Sequence, residues 1–394
     1  MPQTIAVPTD VVTDVIALRR DFHMHPELGF EEVRTAGIVA NRLKRLGYEV
    51  RTGVGVTGVV GLLRSGRPGR TILLRADMDG LPVHEESGVP FASTHPGKMH
   101  ACGHDGHLAI LLGAAQLIME RKEQLVGTIV LCFQPAEEGK GGAKAMIDDG
   151  VLDDPHVDNV YGLHLMSQAP CGVVKVRPGP VMASSDSIEI AIHGKGGHGA
   201  APHETIDPIL TAAHFITQVQ SVVSRRIEPI EPAVVTIGAI SGGTIHNVIP
   251  DNVRMLGTVR AFSPDVRKQM HPRIEAILRG TCEAHGATYD MDYVWRYPVT
   301  SNDPAQAAYV RSLAARTLGD DRSQEMTPTM GAEDFSFMLE RRPGCFFFLG
   351  TQSDEKTAVA HHNARFAIDE AALENGVRMM VALALDAPGR EEGA

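Results

Sequence analysis

The sequence predicts an α/β protein, a mixed sheet with helices on both faces, interrupted by an inserted α+β domain. Three observations carry this expectation. Short apolar strand runs alternate with helical apolar spacing through the first third of the chain, the pattern of a sheet with a parallel portion. The middle segment changes to strands paired around two long helices, and the α/β alternation then resumes. A length of 394 residues exceeds the size at which one core stops growing, which makes two domains the default. The predicted division is 1–183 with 298–394 as one discontinuous domain, and 184–297 as the insertion.

Each element has its own signal. Residues 11–22 carry apolar side chains at helical spacing, with Asp10 as a candidate cap, and 35–46 do the same and stop at Gly47. Runs at 48–51, 56–63 and 71–76 read as strands, 105–120 as a strongly apolar helix, and 126–133 and 160–165 as buried strands. In the insertion, 187–193 alternates as a strand. Asp207-Pro208 then opens a helix with proline at the favoured first position, and strands follow at 233–239 and 253–262. Ser263-Pro264 opens a second helix that Pro272 is expected to kink or split, and 288–296 is the last strand. That order, β-α-β-β-α-β, is the order of a ferredoxin-like sandwich. Beyond it, 304–318 and 332–339 read as helices, 346–349 as a strand and 368–385 as the closing helix.

Composition narrows the function classes. The 43% hydrophobic and 22% charged content is that of an ordinary globular chain. A formal net charge of -11 argues against a nucleic-acid backbone as partner and leaves no broad basic surface for an anionic membrane. The five cysteines are odd in number and irregularly spaced, which speaks against a disulfide framework and for a reducing compartment. Cys132, Cys171, Cys282 and Cys345 read as small core hydrophobes. With no signal-peptide pattern and no membrane-spanning run, a soluble cytoplasmic protein is the expectation.

The chemistry-bearing residues fall at strand ends, where ligands gather in open α/β sheets. Asp77 and Asp79 end one apolar run, Glu137 and Glu138 follow another, and His164 ends a third. In the run His100-Ala-Cys-Gly-His-Asp-Gly-His107, Cys102 and His104 offer a thiolate and an imidazole to a zinc-like cation; as a bare pair, they serve equally as core or cap. The cysteines do not pair as a closed structural zinc site requires, so an open, catalytic site fits better. Glu137-Glu138 reads either as a solvated acidic turn or as one carboxylate that binds a cation beside another that carries a proton. Asp79 and Asp105 each read two ways, as orienting a ligand from behind or as capping a turn or helix. His107 reads as a packed or hydrogen-bonded helix residue, Glu333 and Asp334 as caps, Arg260 as a contact to a substrate carboxylate or, more simply, an exposed strand arginine, and His198 as an exposed loop histidine.

Further motifs extend the pattern along nearly the whole chain: Arg20-Asp-Phe-His-Met-His-Pro-Glu-Leu28, Arg75-Ala-Asp-Met-Asp-Gly-Leu-Pro82, Gln134-Pro-Ala-Glu-Glu138, Gly194-Lys-Gly-Gly-His198, His246-Asn-Val-Ile-Pro-Asp251, Met330-Gly-Ala-Glu-Asp-Phe335 and His362-Asn363. Together with the His100–His107 run they resemble the metal-dependent aminoacylase and carboxypeptidase superfamily, most of all its hippurate hydrolase branch. The resemblance implies a di-metal hydrolase-type catalytic domain with two divalent ions (zinc, manganese, nickel or cobalt) bound by Cys102, His104, Glu138, His164 and His362. Such ions lie about 3.5–4 Å apart and bring the pKa of a shared water toward about 7. The resemblance makes Glu137 the general base and then the proton donor to the leaving amine. It makes His198 an oxyanion donor reaching the site of a partner subunit and Asn247 a second substrate contact, with the insertion acting as lid and dimerisation domain of a homodimer. One departure stands out: the family's Leu-His-Asn-Pro is His361-His362-Asn363-Ala364 in this chain, and His362 is taken as the ligand because Asn363 and Phe366 keep register.

The function this implies is hydrolysis of the amide bond of N-acyl or N-aroyl amino acids to a carboxylic acid and a free amino acid. A dipeptidase or carboxypeptidase on the same scaffold is the near rival. The rival of another class is a metal-stabilised binding protein without turnover, which has no use for Glu137; a redox role for Cys102 requires activity without metal.

Overall fold

The computed structural model describes residues 5–389 of the chain. These divide into two compact units. The first takes the chain up to Val181, then Ser301–Thr327, and everything from Asp334 on. The second is Met182–Thr300 with Pro328–Glu333. The return of 328–333 to the second unit departs from the predicted boundaries. It rests on the Ala183 N–H, which donates to the carbonyls of Gly331 (2.9 Å) and Thr329 (3.3 Å). A pairing this short leaves no periodicity for a sequence reading to catch.

The first unit opens with helices α1 (Thr9–Met24) and α2 (Val33–Leu46), and strands β1 (Glu49–Val54), β2 (Gly58–Arg64) and β3 (Thr71–Asp77). Helix α1 is preceded by Pro8 in the cap position, and Asp10 stands in its first turn rather than capping it. Helix α3 (His104–Glu120), strand β4 (Thr128–Gln134), the short kinked α4 (Glu137–Lys140), α5 (Gly142–Asp148), and strands β5 (Asn159–Pro170), β6 (Val174–Val176) and β7 (Gly179–Met182) complete this part. The second unit contributes β8 (Ser185–His193), β9 (Gly197–His198), α6 (Pro208–Arg226), β10 (Ala233–Ser241), β11 (Val248–Ile249), β12 (Asn252–Ala261), α7 (Pro264–His285) and β13 (Thr288–Tyr297). After β14 (Thr300–Asn302), the chain resumes the first unit with α8 (Pro304–Leu318), β15 (Ser323–Glu325), α9 (Ser336–Leu339), β16 (Gly344–Gln352) and α10 (Ala371–Asp386).

Eight strands form the sheet of the first unit in the order β1-β2-β4-β3-β5-β16-β6-β15. It is mixed: β3 runs parallel to β4 and β5, and β16 parallel to β5, whereas β2 is antiparallel to both β1 and β4. Strands β3 and β4 are buried almost throughout, as continuous apolar strands covered on both faces are. On one face lies α3, apolar on all sides and buried along nearly its whole length between the sheet, α1 and α10. On the other, Met146 of α5 meets Cys132 of β4, with 3.6 Å between their sulfurs.

In the second unit, β10-β12-β8-β13 make an antiparallel sheet. Ile188, Ile190 and Ile192 point from β8 into a core closed by Phe215 and Val219 of α6 and by Met270, Ile274 and Leu278 of α7. Asp207 caps α6 by accepting from the N–H groups of Ile209 and Leu210. Two expectations fail here and in the first unit. Helix α7 is not split at Pro272, which sits on its exposed side, where the carbonyl robbed of a partner meets water. The helix expected at 332–339 is only its last turn, because Asp334 is committed to bonds with Arg75, Gln134 and Ala143.

Candidate metal centre

Four separate stretches of the first unit are shaped to bring donors together. Gly103, in the left-handed region at φ 91°, forms the N-cap of α3 and separates Cys102 from His104, the first residue of the helix. Beyond β4, Ala136 adopts φ 53° and Glu138 and Gly139 leave helical geometry, so the chain turns sharply at the carboxylate pair. Buried Glu32 holds that turn by accepting from the Ala136 N–H at 2.8 Å. His164 lies in β5. His362, at φ 66°, donates its backbone N–H to the carbonyl of Ala101 at 2.8 Å, which ties the C-terminal segment to Cys102. Left-handed backbone at a non-glycine residue is uncommon and strained, and it concentrates at functional sites.

Among the described residues, three of five groups whose ligand atoms lie within 4.8 Å of one another are built from these donors: Cys102 with His104 and His164, Cys102 with Glu138 and His362, and His104 with Glu137 and Glu138; the other two are Asp77 with His104 and His107, and Glu137 with Glu333 and Asp334. All five residues expected as ligands are thus brought together, with Glu137 beside them and Cys102 common to two groups. Cys102 Sγ is 3.5 Å from His164 Nε2, and His362 Nε2 is 3.1 Å from Glu138 Oε1.

The ring orientations are set from behind. His104 donates from Nδ1 to the Asp79 carbonyl at 2.9 Å, and His164 from Nδ1 to that of Leu165 at 2.6 Å, which leaves both Nε2 lone pairs turned inward. Asp79 also accepts from the N–H groups of Glu137 (3.1 Å) and Glu138 (3.0 Å), one to each carboxylate oxygen. His104 Nε2 and Glu138 Oε1 are buried without a well-aligned hydrogen bond. Buried polar atoms seldom go unpaired, and an inward-facing imidazole nitrogen and carboxylate oxygen fit a divalent cation. The electrostatics agree. Cys102 and Glu138 push His362 up to about 10 against its partial burial. Burial opposes charge on His104, but Asp77, Asp79 and Cys102 outweigh it and raise its pKa well above the ordinary value. His164 goes the other way: burial, with His107 and His361 beside it, holds its pKa well below the ordinary value.

Behind the donors lies a network that the sequence reading did not foresee. Arg75, fully buried on β3, donates to Gln134 (2.8 Å), Asp77 (2.7 Å) and Asp334 (3.2 Å). Asp334 in turn gives its backbone N–H to Glu137 Oε1 at 3.3 Å. His107 is hydrogen-bonded in the helix, as its reading allowed: it donates from Nδ1 to Asp77 at 2.5 Å and accepts the Leu165 N–H at Nε2 at 2.8 Å, which steadies β5 beside His164. The only sequence signal was an ionisable residue inside an apolar strand, which a buried ion pair requires.

Asp105 takes neither of its expected roles. It neither caps α3, whose cap is Gly103, nor bonds a candidate ligand; it pairs with buried Arg19 (2.7 Å) and His23 (2.9 Å). The first turn of α3 points it at α1, away from the donors. His23 bonds Glu85 on its other nitrogen at 3.0 Å. In the second unit, His198 and Asn247 are both exposed and adjacent across the β9–β11 pairing, where the Gly199 N–H donates to the Asn247 carbonyl at 2.8 Å. Arg260 is half-buried, and burial lowers its pKa despite the nearby charge of Asp186.

Residues 73–386 match the model of peptidase family M20/M25/M40. The chain is 43% identical over 94% of its own length and 94% of the relative's to thermostable carboxypeptidase 2 of Saccharolobus solfataricus. It is 41% identical to the IAA-amino acid hydrolase ILR1-like 4 of Arabidopsis thaliana, over 97% of its own length and 87% of that protein's. The crystal structure of the Bacillus subtilis YXEP protein, a dinuclear metal binding peptidase, superimposes with a TM-score of 0.83 at 34% identity, covering 95% of this chain and 98% of that one. A match of this extent to the family model and to full-length relatives, on a first unit that gathers Cys102, His104, Glu138, His164 and His362, places the chain in the M20/M25/M40 peptidase family.

Proposed function

We propose that this metal-dependent amidohydrolase cleaves the amide bond of N-acyl or N-aroyl amino acids of the hippurate type, releasing a carboxylic acid and a free amino acid. One observation carries the reading: a buried carboxylate, Glu137, stands beside a cluster of five mixed sulfur, nitrogen and oxygen donors. Cys102, His104, Glu138, His164 and His362 would hold two divalent ions. When bound, such ions acidify water and polarise a carbonyl oxygen. Glu137 takes the proton of the attacking water and returns it to the leaving amine, so no covalent acyl-enzyme is required. The Asp334 N–H and the Asp79 carboxylate hold Glu137 in place for both transfers.

His198 completes the reading as the oxyanion donor. Its Nδ1 accepts the Ala200 N–H at 3.0 Å, so its proton sits on exposed Nε2, free to be offered to substrate. With Asn247 as its neighbour in contacting substrate, it acts across a homodimer in which the second unit serves as lid. A carboxypeptidase or dipeptidase activity is the second reading, favoured by the 43% identity to a carboxypeptidase. A metal-dependent screen of N-acetyl, N-benzoyl and indole-acyl amino acids beside dipeptides, with free amine as readout, separates the two. Turnover of dipeptides alone sinks the first reading.

A further inference from the structure

The segment 361–362 holds two histidines, and only one of them enters a donor group. His361 stands where the family motif leads one to expect leucine. Its Nε2 accepts the backbone N–H of Ser167 at 3.3 Å, so in the neutral ring the proton is on Nδ1. That Nδ1 lies 3.7 Å from Cys102 Sγ, within reach of an N–H···S hydrogen bond. The ring is held in place by its neighbours: its centroid is 5.3 Å from that of His164 and 4.9 Å from that of Phe366. The adjoining His362 N–H is fastened to the Ala101 carbonyl.

We propose that His361 is a positioning residue for the Cys102 sulfur, donating Nδ1–H to the thiolate and thereby fixing its direction and drawing charge from it. The inference rests on Cys102 being a metal ligand, as proposed above. Cys102 belongs to two of the donor groups, so a hydrogen bond to its sulfur bears on the residues of both. Hydrogen bonds around a ligating sulfur tune the bound metal, and ligand-orienting partners are commonly worth about 10–100-fold in metal affinity. Leucine fills the space and supplies no donor.

The test uses the cobalt-loaded protein, where thiolate-to-cobalt charge transfer reports directly on the sulfur, and Cys102→Ser assigns the band. His361→Leu is expected to bind two cobalt ions at saturation, about tenfold more weakly, with the band moved to lower energy because the sulfur lone pairs are no longer stabilised. His361→Met repeats the donor-free measurement with a different shape. His361→Asn, which keeps an N–H near the Nδ1 position, stays close to the original band. An unmoved band in the Leu and Met variants overturns the proposal. So does an equal shift in the Asn variant, which makes ring packing the cause, or loss of one ion, which makes His361 itself a ligand. A wild-type protein with two cobalt ions and no sulfur band removes Cys102 from the ligand set, a failure of the underlying reading that is distinguishable from the other three.

Discussion

Glu137 carries the heaviest claim of any single side chain. Glu137→Gln keeps the size and the Asp334 contact but removes the base, so turnover is expected to fall about 10²–10⁴-fold with metal content unchanged. Activity that survives the change disposes of the proton shuttle. Asp79→Ala acts from one layer further back: it frees the Glu137 and Glu138 backbone and is expected to weaken metal binding by about 10–100-fold in a competition titration. His23 offers a pH signature. Burial works against its charge, yet Asp105 and Glu85 outweigh that, and its pKa is raised. The folded chain thus holds a proton that the unfolded chain gives up near about 6.5. The stability this supplies is complete below that pH and drains away as pH climbs through the raised folded value. Comparing melting temperatures of wild type and His23→Gln across that range should show their gap narrowing with pH; a gap that widens reverses the assignment. Residue type and spacing raised Cys102, His104 and the Glu137-Glu138 pair as candidates, and the family resemblance supplied the full donor set. The Arg75 network was not, since its partners Gln134 and Asp334 stand 59 and 259 positions away and follow no period.

At the scale of elements, α3 decides most. Its strong apolarity was plain in the sequence, and the helix is buried along nearly its whole length. What the apolarity did not reveal is how close the neighbours come. A Cβ at Gly113 would lie 2.4 Å from Val15 Cγ2 of α1 and 3.2 Å from Val377 Cγ2 of α10. In an open helix, Gly→Ala stabilises by about 1 kcal/mol. In α3 the crowding dominates, and Gly113→Ala is expected to destabilise by about 1–3 kcal/mol in denaturant titration. A stabilised variant would mean that α1 yields more easily than the packing suggests. The elements misread from sequence share one cause. Pro272 and the 332–339 segment were judged by local propensity, whereas exposure on α7 and the bonds of Asp334 decided the outcome.

For the whole molecule, the strongest expectation concerns metal removal. Ligands that bind only the folded state stabilise it by RT ln(1 + [L]/Kd), about 4.1 kcal/mol at a thousandfold excess over Kd. The proposed ligands come from α3, the turn after β4, β5 and the segment before α10. Chelation should therefore lower the calorimetric midpoint of the first unit, and re-addition of zinc or manganese should restore it. An unchanged midpoint argues against ions bound at these residues. The two-part organisation was visible in the sequence because strand and helix order changed character near 184 and changed back near 298. The order of strands within the large sheet was not, since β16 enters it between β5 and β6, from the far side of the second unit.

That placement bears on biosynthesis. Until the ribosome has passed Gln352, β5 and β6 have no strand between them, and the nascent chain presents a bare, sticky hydrogen-bonding margin where β16 belongs. His362 emerges later still, so a polypeptide halted anywhere before it lacks both its last imidazole and a sealed interior. Truncated products of this gene are accordingly expected to be chaperone clients and protease substrates rather than weakened enzymes.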